Sequence, residues 1–365
     1  MAKDTSIERI DCAAYTIPTD APESDGTLEW DRTTLIVVEV EAGGKTGLGY
    51  TYCHSAVVPI VARTLAPEIH GHEAFAIEQT WAAMVRIVRN IGWPGVAACA
   101  ISAVDIALWD LKAKLLDVPL VTLLGPLRRR VPVYGSGGFT SYTNEKLADQ
   151  LSGWAHEGCA FVKMKVGREP EKDPRRAEAA RNAIGGAQLF VDANGGYSRK
   201  QALALAHTFS DLGVTWFEEP VSSDDLEGLH LIRDRAPAGM DVAAGEYGYQ
   251  TFYFRRMLET AAVDVLQADE TRCGGVTGFM RAAAICDAHG IPLSSHCGPA
   301  IHLHAACAAP RLRHMEWFHD HVRLEHMLFD GAPNLRDGHI EPDLSRPGHG
   351  LAFRHADAER FRIQP

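Results

Sequence analysis

Residues 161–166, Phe161-Val162-Lys163-Met164-Lys165-Val166, read as a short strand with two lysines on one face and apolar side chains on the other. Alone, that pattern also suits an edge strand with a solvated face. The next apolar runs make the difference. Leu189-Phe190-Val191-Asp192-Ala193-Asn194 ends in a carboxylate, and so do Trp216-Phe217-Glu218-Glu219-Pro220 and Ala243-Ala244-Gly245-Glu246. Asp192 by itself could cap the helix that follows it. Three successive strands that each end in a carboxylate are not explained by capping or by solubility.

The same texture extends in both directions. Expected strands are Val131–Gly135, Phe161–Val166, Leu189–Ala193, Thr215–Glu218, Val242–Gly245, Val265–Ala268, Ile291–Ser295 and His314–Trp317, with amphipathic helices between them. Ser198 and Gln201 fit a capping box. Gly278–His289 reads as a helix stopped by Gly290 and Pro292. Strand starts recur every ~20–30 residues, the repeat of a βα unit, and eight units predict a closed barrel. The strand C-termini of such a barrel share one mouth.

The first third differs. Ile7–Thr16, Thr34–Glu41 and Gly47–Cys53 read as strands, with a turn at Gly43-Gly44, although Gly49 weakens the third. Ile17–Trp30, with Pro18, Pro22 and Gly26, reads as a long loop, of the kind that is functional or disordered. Ala97–Leu116 is a strong helix. The predicted fold is α/β: a modified TIM (β/α) barrel over residues 126–334 behind an N-terminal α+β capping domain over 1–125. The tail from about residue 335 to 365 is expected to return to the cap.

Composition bounds the function. The chain has 365 residues and a formal net charge of −11, which argues against nucleic acid as a partner. Its 8 cysteines form no CxxC pair and read as reduced, mostly buried thiols. Met1–Ile10 carries charges and no apolar core of a secretory leader, and no apolar run suits a membrane span. The expectation is a cytoplasmic enzyme acting on a small molecule.

The strand ends suggest the chemistry. Three carboxylates at one mouth repel unless a hard divalent cation lies among them, and an all-oxygen set suits Mg2+, with Mn2+ as a substitute. Val265-Leu266-Gln267-Ala268-Asp269 and Pro292-Leu293-Ser294-Ser295-His296 add an aspartate and a histidine on adjacent strands. A lone histidine is more often structural. Beside Asp269 it gains a partner that fixes its tautomer and raises its basicity. Lys165 and the Asp269–His296 dyad would flank the cation from opposite sides. Such a site can take the α-proton of a carboxylate substrate, with the cation and Lys163 carrying the charge of the enediolate. For Lys165 to act as a base its pKa must fall, and Lys163 and the cation would both push it down.

These residues resemble the enolase superfamily and, within it, the mandelate racemase subgroup. Ala100-Ile101-Ser102-Ala103-Val104-Asp105-Ile106-Ala107-Leu108-Trp109-Asp110-Leu111-Lys112-Ala113-Lys114, continuing to Leu123-Leu124-Gly125, is similar to that family's signature helix. Read without the family, it is an amphipathic helix docking the first module on the barrel. Lys163-Met164-Lys165 looks like the family's KxK. The resemblance implies Asp192, Glu218 and Glu246 as metal ligands and the first acid of Glu218-Glu219-Pro220 as the ligand within it. It also implies Asp269 and His296 as the dyad and Glu316 as an acid bonding the substrate carboxylate or enediolate. Asn194 and Ser136 would contact substrate, Glu270 would point away, and the enzyme would be a homo-oligomer.

Such a set supports dehydration of an acid sugar to a 2-keto-3-deoxy acid, or racemisation or epimerisation of a 2-hydroxy acid. Thr19, Asp20, Glu23, Ser24, Asp25 and Thr27, with Tyr50, Tyr52 and His54, offer polar groups to a polyol. Asp20 and Tyr52 are the substrate contacts expected among them. A non-catalytic relative would show decay of the lysines or ligands, and none is seen. A hydrolase or sugar isomerase with a histidine-rich metal site would have to draw on His314, His319, His321 and His326, which read better as a solvated loop beside the mouth.

Overall fold

The computed structural model describes residues 4–364. Three antiparallel strands open it: β1 (Ile7–Ser24), β2 (Glu29–Ala42) and β3 (Lys45–Tyr52). Arg362–Ile363 pairs with β1 and completes a four-stranded sheet. Eight parallel strands follow: β4 (Val131–Gly137), β5 (Phe161–Lys165), β6 (Gln188–Asp192), β7 (Val214–Glu218), β8 (Asp241–Ala244), β9 (Val265–Ala268), β10 (Leu293–Ser295) and β11 (Leu312–Phe318). Each pairs with the next, and β11 returns to β4 to close the barrel. The predicted fold class, a modified (β/α) barrel behind an N-terminal cap, is the one observed.

The loop expected over Ile17–Trp30 is instead a hairpin. β1 and β2 pair as far as Pro18↔Arg32, break register, and pair again at Glu23↔Trp30. The prolines hide the alternation but fall in and around the irregular stretch, where a missing ladder hydrogen bond is tolerated. Asp25 turns the tip by accepting from the Thr27 and Leu28 N–H groups. The tip lies on the barrel mouth. A Cβ on Gly26 would sit 2.7 Å from the Val166 carbonyl oxygen and closer still to that of Ala193. Thr140, beyond β4, donates its N–H to the Ser24 carbonyl at 2.8 Å.

The expected helix spans Val96–Leu115, and it is buried on nearly every face rather than amphipathic. One side meets β3, where Gly47 and Gly49 lie so close that a Cβ on either would collide with the Ala107 or Ala103 carbonyl. Gly49 therefore belongs to the strand because the helix backbone leaves no room for a side chain. The other side bonds the barrel: Trp109 donates to Thr277 Oγ1 at 2.9 Å, and Asp105 accepts from Thr277. The Ser198–Gln201 capping box is present, and Gly290 ends its helix in the left-handed conformation.

Aromatic rings plug the lower barrel. Tyr134, Phe161, Phe190 and Trp216 pack together there. His314 stands edge-on to Tyr134 within this plug, so it is core rather than part of a solvated loop.

Candidate active site

Register places the charged strand ends side by side. Lys165 on β5 aligns with Asp192 on β6, and Asp192 with Glu218 on β7. One layer up from the aromatic plug, these side chains meet in a buried interior. Lys163 lies over the Tyr134 ring, 5.3 Å from its centroid. Oxygens of Asp192, Glu218 and Glu246 come within 4.8 Å of one another.

The two lysines divide their bonds. Lys163 Nζ donates to Glu218 Oε1 at 2.5 Å and approaches Glu316 Oε1 at 2.8 Å. Lys165 Nζ donates to Asp192 Oδ2 at 2.5 Å. Burial lowers the Lys165 pKa most, but Asp192, Glu246 and Glu316 together raise it by more, so it stands above the ordinary lysine value. Lys163 does push it down, as a neighbouring ammonium should, but the carboxylates outweigh that effect.

On the other side, His296 Nδ1 is 2.8 Å from Asp269 Oδ2, and Nε2 is 3.2 Å from Glu246 Oε2. Burial lowers the His296 pKa, while Cys297, Glu246 and the Asp269 hydrogen bond raise it by more. Cys297 is itself pushed up to about 12 by burial, so the carboxylates are what hold the imidazolium. Arg272 lies 3.4 Å from Asp269 and 3.6 Å from Glu246.

The charges suit a bound cation. Asp192, Glu218, Glu246, Asp269 and Glu316 face Lys163, Lys165, His296 and Arg272, which leaves one negative charge in excess when all are ionised. The strain collects on Glu218, pushed up to about 8 by burial and by Asp192 against the pull of Lys163. Glu246 Oε2 is buried and accepts no well-formed hydrogen bond. An all-oxygen trio with an unsatisfied oxygen suits a hard divalent ion.

The expected substrate contacts divide. Asn194 Oδ1 and the Tyr52 hydroxyl are buried and without a partner. Tyr52 stacks on His321 with ring centroids 3.5 Å apart. Ser136 is spent elsewhere, donating to Glu316 Oε1 at 2.6 Å. Asp20 is exposed at the rim and lies 2.9 Å from His319 Nε2. The polar hairpin offers less than its composition suggests. Ser24 bonds Thr140, Asp25 shapes the tip, and Tyr50 is buried against Glu325 at 2.6 Å. His319, His321 and His326 fall on one helix, His319–Leu328, with separate partners rather than in a loop.

Comparison with known proteins identifies the family. Residues 146–358 match the family described as Enolase C-terminal domain-like, and residues 16–125 match the N-terminal domain of the mandelate racemase / muconate lactonizing enzyme family. The chain belongs to the mandelate racemase/muconate lactonizing enzyme family of the enolase superfamily. A crystal structure of a family-like protein from Rubrobacter xylanophilus is 52% identical, with a TM-score of 0.96 over 98% of this chain and 100% of that one. The 3,6-anhydro-alpha-L-galactonate cycloisomerase of Streptomyces coelicolor is 32% identical over 97% of this chain and 98% of its own. L-Talarate dehydratase from Polaromonas sp. JS666, complexed with Mg and L-glucarate, is 29% identical, with a TM-score of 0.89 over 98% of each chain.

Several residues that pack against these strand ends have roles that the sequence does not reveal. Trp216 Nε1 donates to Glu218 Oε2 at 2.9 Å and holds the carboxylate from below. Its position two residues before Glu218 was the available signal. Glu219 has a φ of 37°, which breaks strand alternation and keeps it buried instead of turning it to solvent. Burial first and Glu246 next push it well above the ordinary carboxyl range. His302, an unremarkable residue in sequence, accepts the Glu270 N–H at 2.6 Å and donates from Nδ1 to the Gly298 carbonyl. A cavity of about 660 Å³ lies apart from all these residues, beside the tail, lined by Arg130, His304, Arg346 and His349 among others.

Proposed function

We propose that this chain is a Mg2+-dependent enzyme that removes the α-proton of an acid sugar and expels the β-oxygen, giving a 2-keto-3-deoxy acid. The observation that carries the reading is the opposition of two acid/base groups across three carboxylates. Lys165 reaches Asp192 at one end, and His296 reaches Glu246 at the other. Asp192, Glu218 and Glu246 would hold the metal. When bound, a divalent cation supplies positive charge for the enediolate oxygens and takes over the Asp192 charge that Lys165 now shares.

The remaining work falls to the chain. Lys165 Nζ takes the α-proton. Lys163, pinned between Glu218 and Glu316, places a fixed ammonium beside the developing enediolate, in a dry interior where charge is poorly screened. Glu316, oriented by Ser136 and by the Cys297 N–H at 2.8 Å, meets the substrate carboxylate. His296, held as imidazolium with Asp269 behind it, delivers a proton to the departing oxygen. Asn194 and Tyr52 bring unpartnered polar atoms to the sugar hydroxyls, and Asp20 closes the rim.

The relatives support this class. One is a dehydratase complexed with Mg and L-glucarate, and another is a cycloisomerase of an anhydro sugar acid. Loss of a hydroxyl and opening of a ring at a β-oxygen proceed through the same enediolate. The test is incubation of the Mg2+-loaded enzyme with aldonic, aldaric and anhydro-aldonic acids, assayed for 2-keto-3-deoxy acids. Absence of any such product across the set sinks the elimination reading. Epimerisation is a second reading, favoured by the same opposed pair, and it predicts deuterium at the α-carbon from D2O with no keto acid.

A further inference from the structure

Beside the three-carboxylate set stands a second group of donors with different chemistry. His296, Cys297 and Glu316 are all buried, and one ligand atom from each lies within 4.8 Å of the other two. Cys297 Sγ is 3.3 Å from His296 Nε2, and Glu316 Oε2 is 3.9 Å from the same nitrogen. Bonds of ~2.0–2.1 Å to nitrogen or oxygen and ~2.3 Å to sulfur give a tetrahedral Zn2+ site edges of roughly 3.3–3.6 Å. The two separations bracket that range, so small side-chain shifts suffice.

The histidine is already presented as a ligand. Asp269 holds Nδ1 at 2.8 Å and leaves Nε2 facing Cys297 Sγ, Glu316 Oε2 and, at 3.2 Å, Glu246 Oε2 of the first set. A carboxylate behind a ligating imidazole fixes its orientation and raises its basicity. The cysteine is held with equal firmness. Its φ is 50°, an uncommon value for a residue with a side chain, and its N–H donates to Glu316 Oε2 at 2.8 Å. Phe139, Tyr142 and Phe318 wall the thiol on its apolar side. Its one polar side-chain partner is His296 Nε2, and burial pushes the thiol up to about 12.

We propose that His296 Nε2, Cys297 Sγ and Glu316 Oε2 form a binding site for a thiophilic divalent cation, Zn2+ foremost, and that its occupancy switches the enzyme off. Binding releases the thiol proton and the imidazolium proton to solvent and involves no redox step. A fourth position stays open for water or a substrate oxygen. Mg2+ does not compete, because it takes oxygen ligands in an octahedral shell and leaves thiolates to softer ions. The inhibitory half rests on the reading above that His296 Nε2 is an acid/base group. The binding half does not.

The test uses the full chain in excess Mg2+. Co2+ stands in for Zn2+ as a spectroscopic probe, and equilibrium dialysis counts bound Zn2+. The expected result is one thiophilic cation per chain, with a near-ultraviolet thiolate-to-cobalt band that disappears in Cys297→Ser and Cys297→Ala and persists in Cys53→Ser. Turnover of each variant with Mg2+ alone is its own reference. Against that reference, Zn2+ inhibition should weaken at least about tenfold when the thiolate is removed. Absence of the band in the wild type, or its survival in both Cys297 variants, overturns the site. A band that appears while Zn2+ leaves turnover untouched overturns the switch, and with it the acid/base role of His296, while the site stands.

Discussion

Gly26→Ala tests whether the β1–β2 hairpin acts as a cover over reacting substrate. The added methyl would lie 2.7 Å from the Val166 carbonyl oxygen, 3.1 Å from the Ala193 carbonyl carbon and closer still to the Ala193 oxygen. Non-bonded carbon contacts are comfortable only near about 3.5 Å, so the tip must lift by roughly 1 Å. Lifting strains the Thr140 N–H bond to the Ser24 carbonyl, 2.8 Å, and the Thr140 hydroxyl bond to the Asp25 carbonyl, 2.9 Å. Overpacking of this kind costs about 1–3 kcal/mol. The free enzyme can relieve most of it by raising the tip, whereas the covered transition state cannot. The penalty therefore falls on kcat/KM, which should drop about 5- to 150-fold. The thermal midpoint should move by only a few degrees, because the barrel core is untouched. Leu28→Ala is the control at the same tip: Leu28 is 61% exposed and should give wild-type kinetics. Steady-state kinetics with a turned-over acid sugar and a thermal melt decide the matter. If Gly26→Ala keeps kcat/KM within about twofold of wild type, the tip does not cover the reacting substrate and the argument from close packing fails.

His296→Asn should lower product formation by about 10²- to 10⁴-fold while retaining α-proton exchange with D2O through Lys165, and Lys165→Ala should lose both. Nuclear magnetic resonance of the recovered substrate reads the exchange, and equal loss of it in the two variants would end the assigned division of labour. Trp216→Phe removes the donor that holds Glu218 Oε2 and should weaken Mg2+ binding about 10- to 100-fold by calorimetry; an unchanged Kd refutes that support. Glu325 is pushed up to about 8 by burial, against the Tyr50 hydroxyl and Ala300 N–H that bond it. Its stabilising contribution is full below the ordinary value of 4.5 and is lost as pH rises towards 8. Thermal midpoints of wild type should therefore fall across that window more steeply than those of Glu325→Gln, and parallel curves would contradict the buried, protonated state.

The barrel and the meeting of its charged strand ends were legible because parallel strands carry their information locally. Each is a short apolar run, and the charge at its end can only meet the others at the shared mouth. Register then does what composition cannot: Lys165, Asp192 and Glu218 are successive Cα partners across β5, β6 and β7. What stayed hidden depended on neighbours far along the chain. In the sequence Gly49 reads as a weakness in β3, but the helix Val96–Leu115 presses its backbone against that position and requires it. The hairpin was misread because its pairing breaks between Pro18 and Glu23, so no alternation survives there to be read. Polar residues in it were counted as offers to a substrate, but Ser24 and Asp25 are used to hold the tip, as Tyr50 is used to hold Glu325. Cys297 is the sharpest case. In the sequence it is one thiol among 8, next to a histidine already assigned. Only its left-handed backbone and its bond to Glu316, a residue from the next strand, place its sulfur against the nitrogen that the chemistry needs free. Among the residues expected to meet sugar hydroxyls, Asn194 and Tyr52 each keep a buried polar atom without a partner, whereas the Ser136 hydroxyl is committed to Glu316.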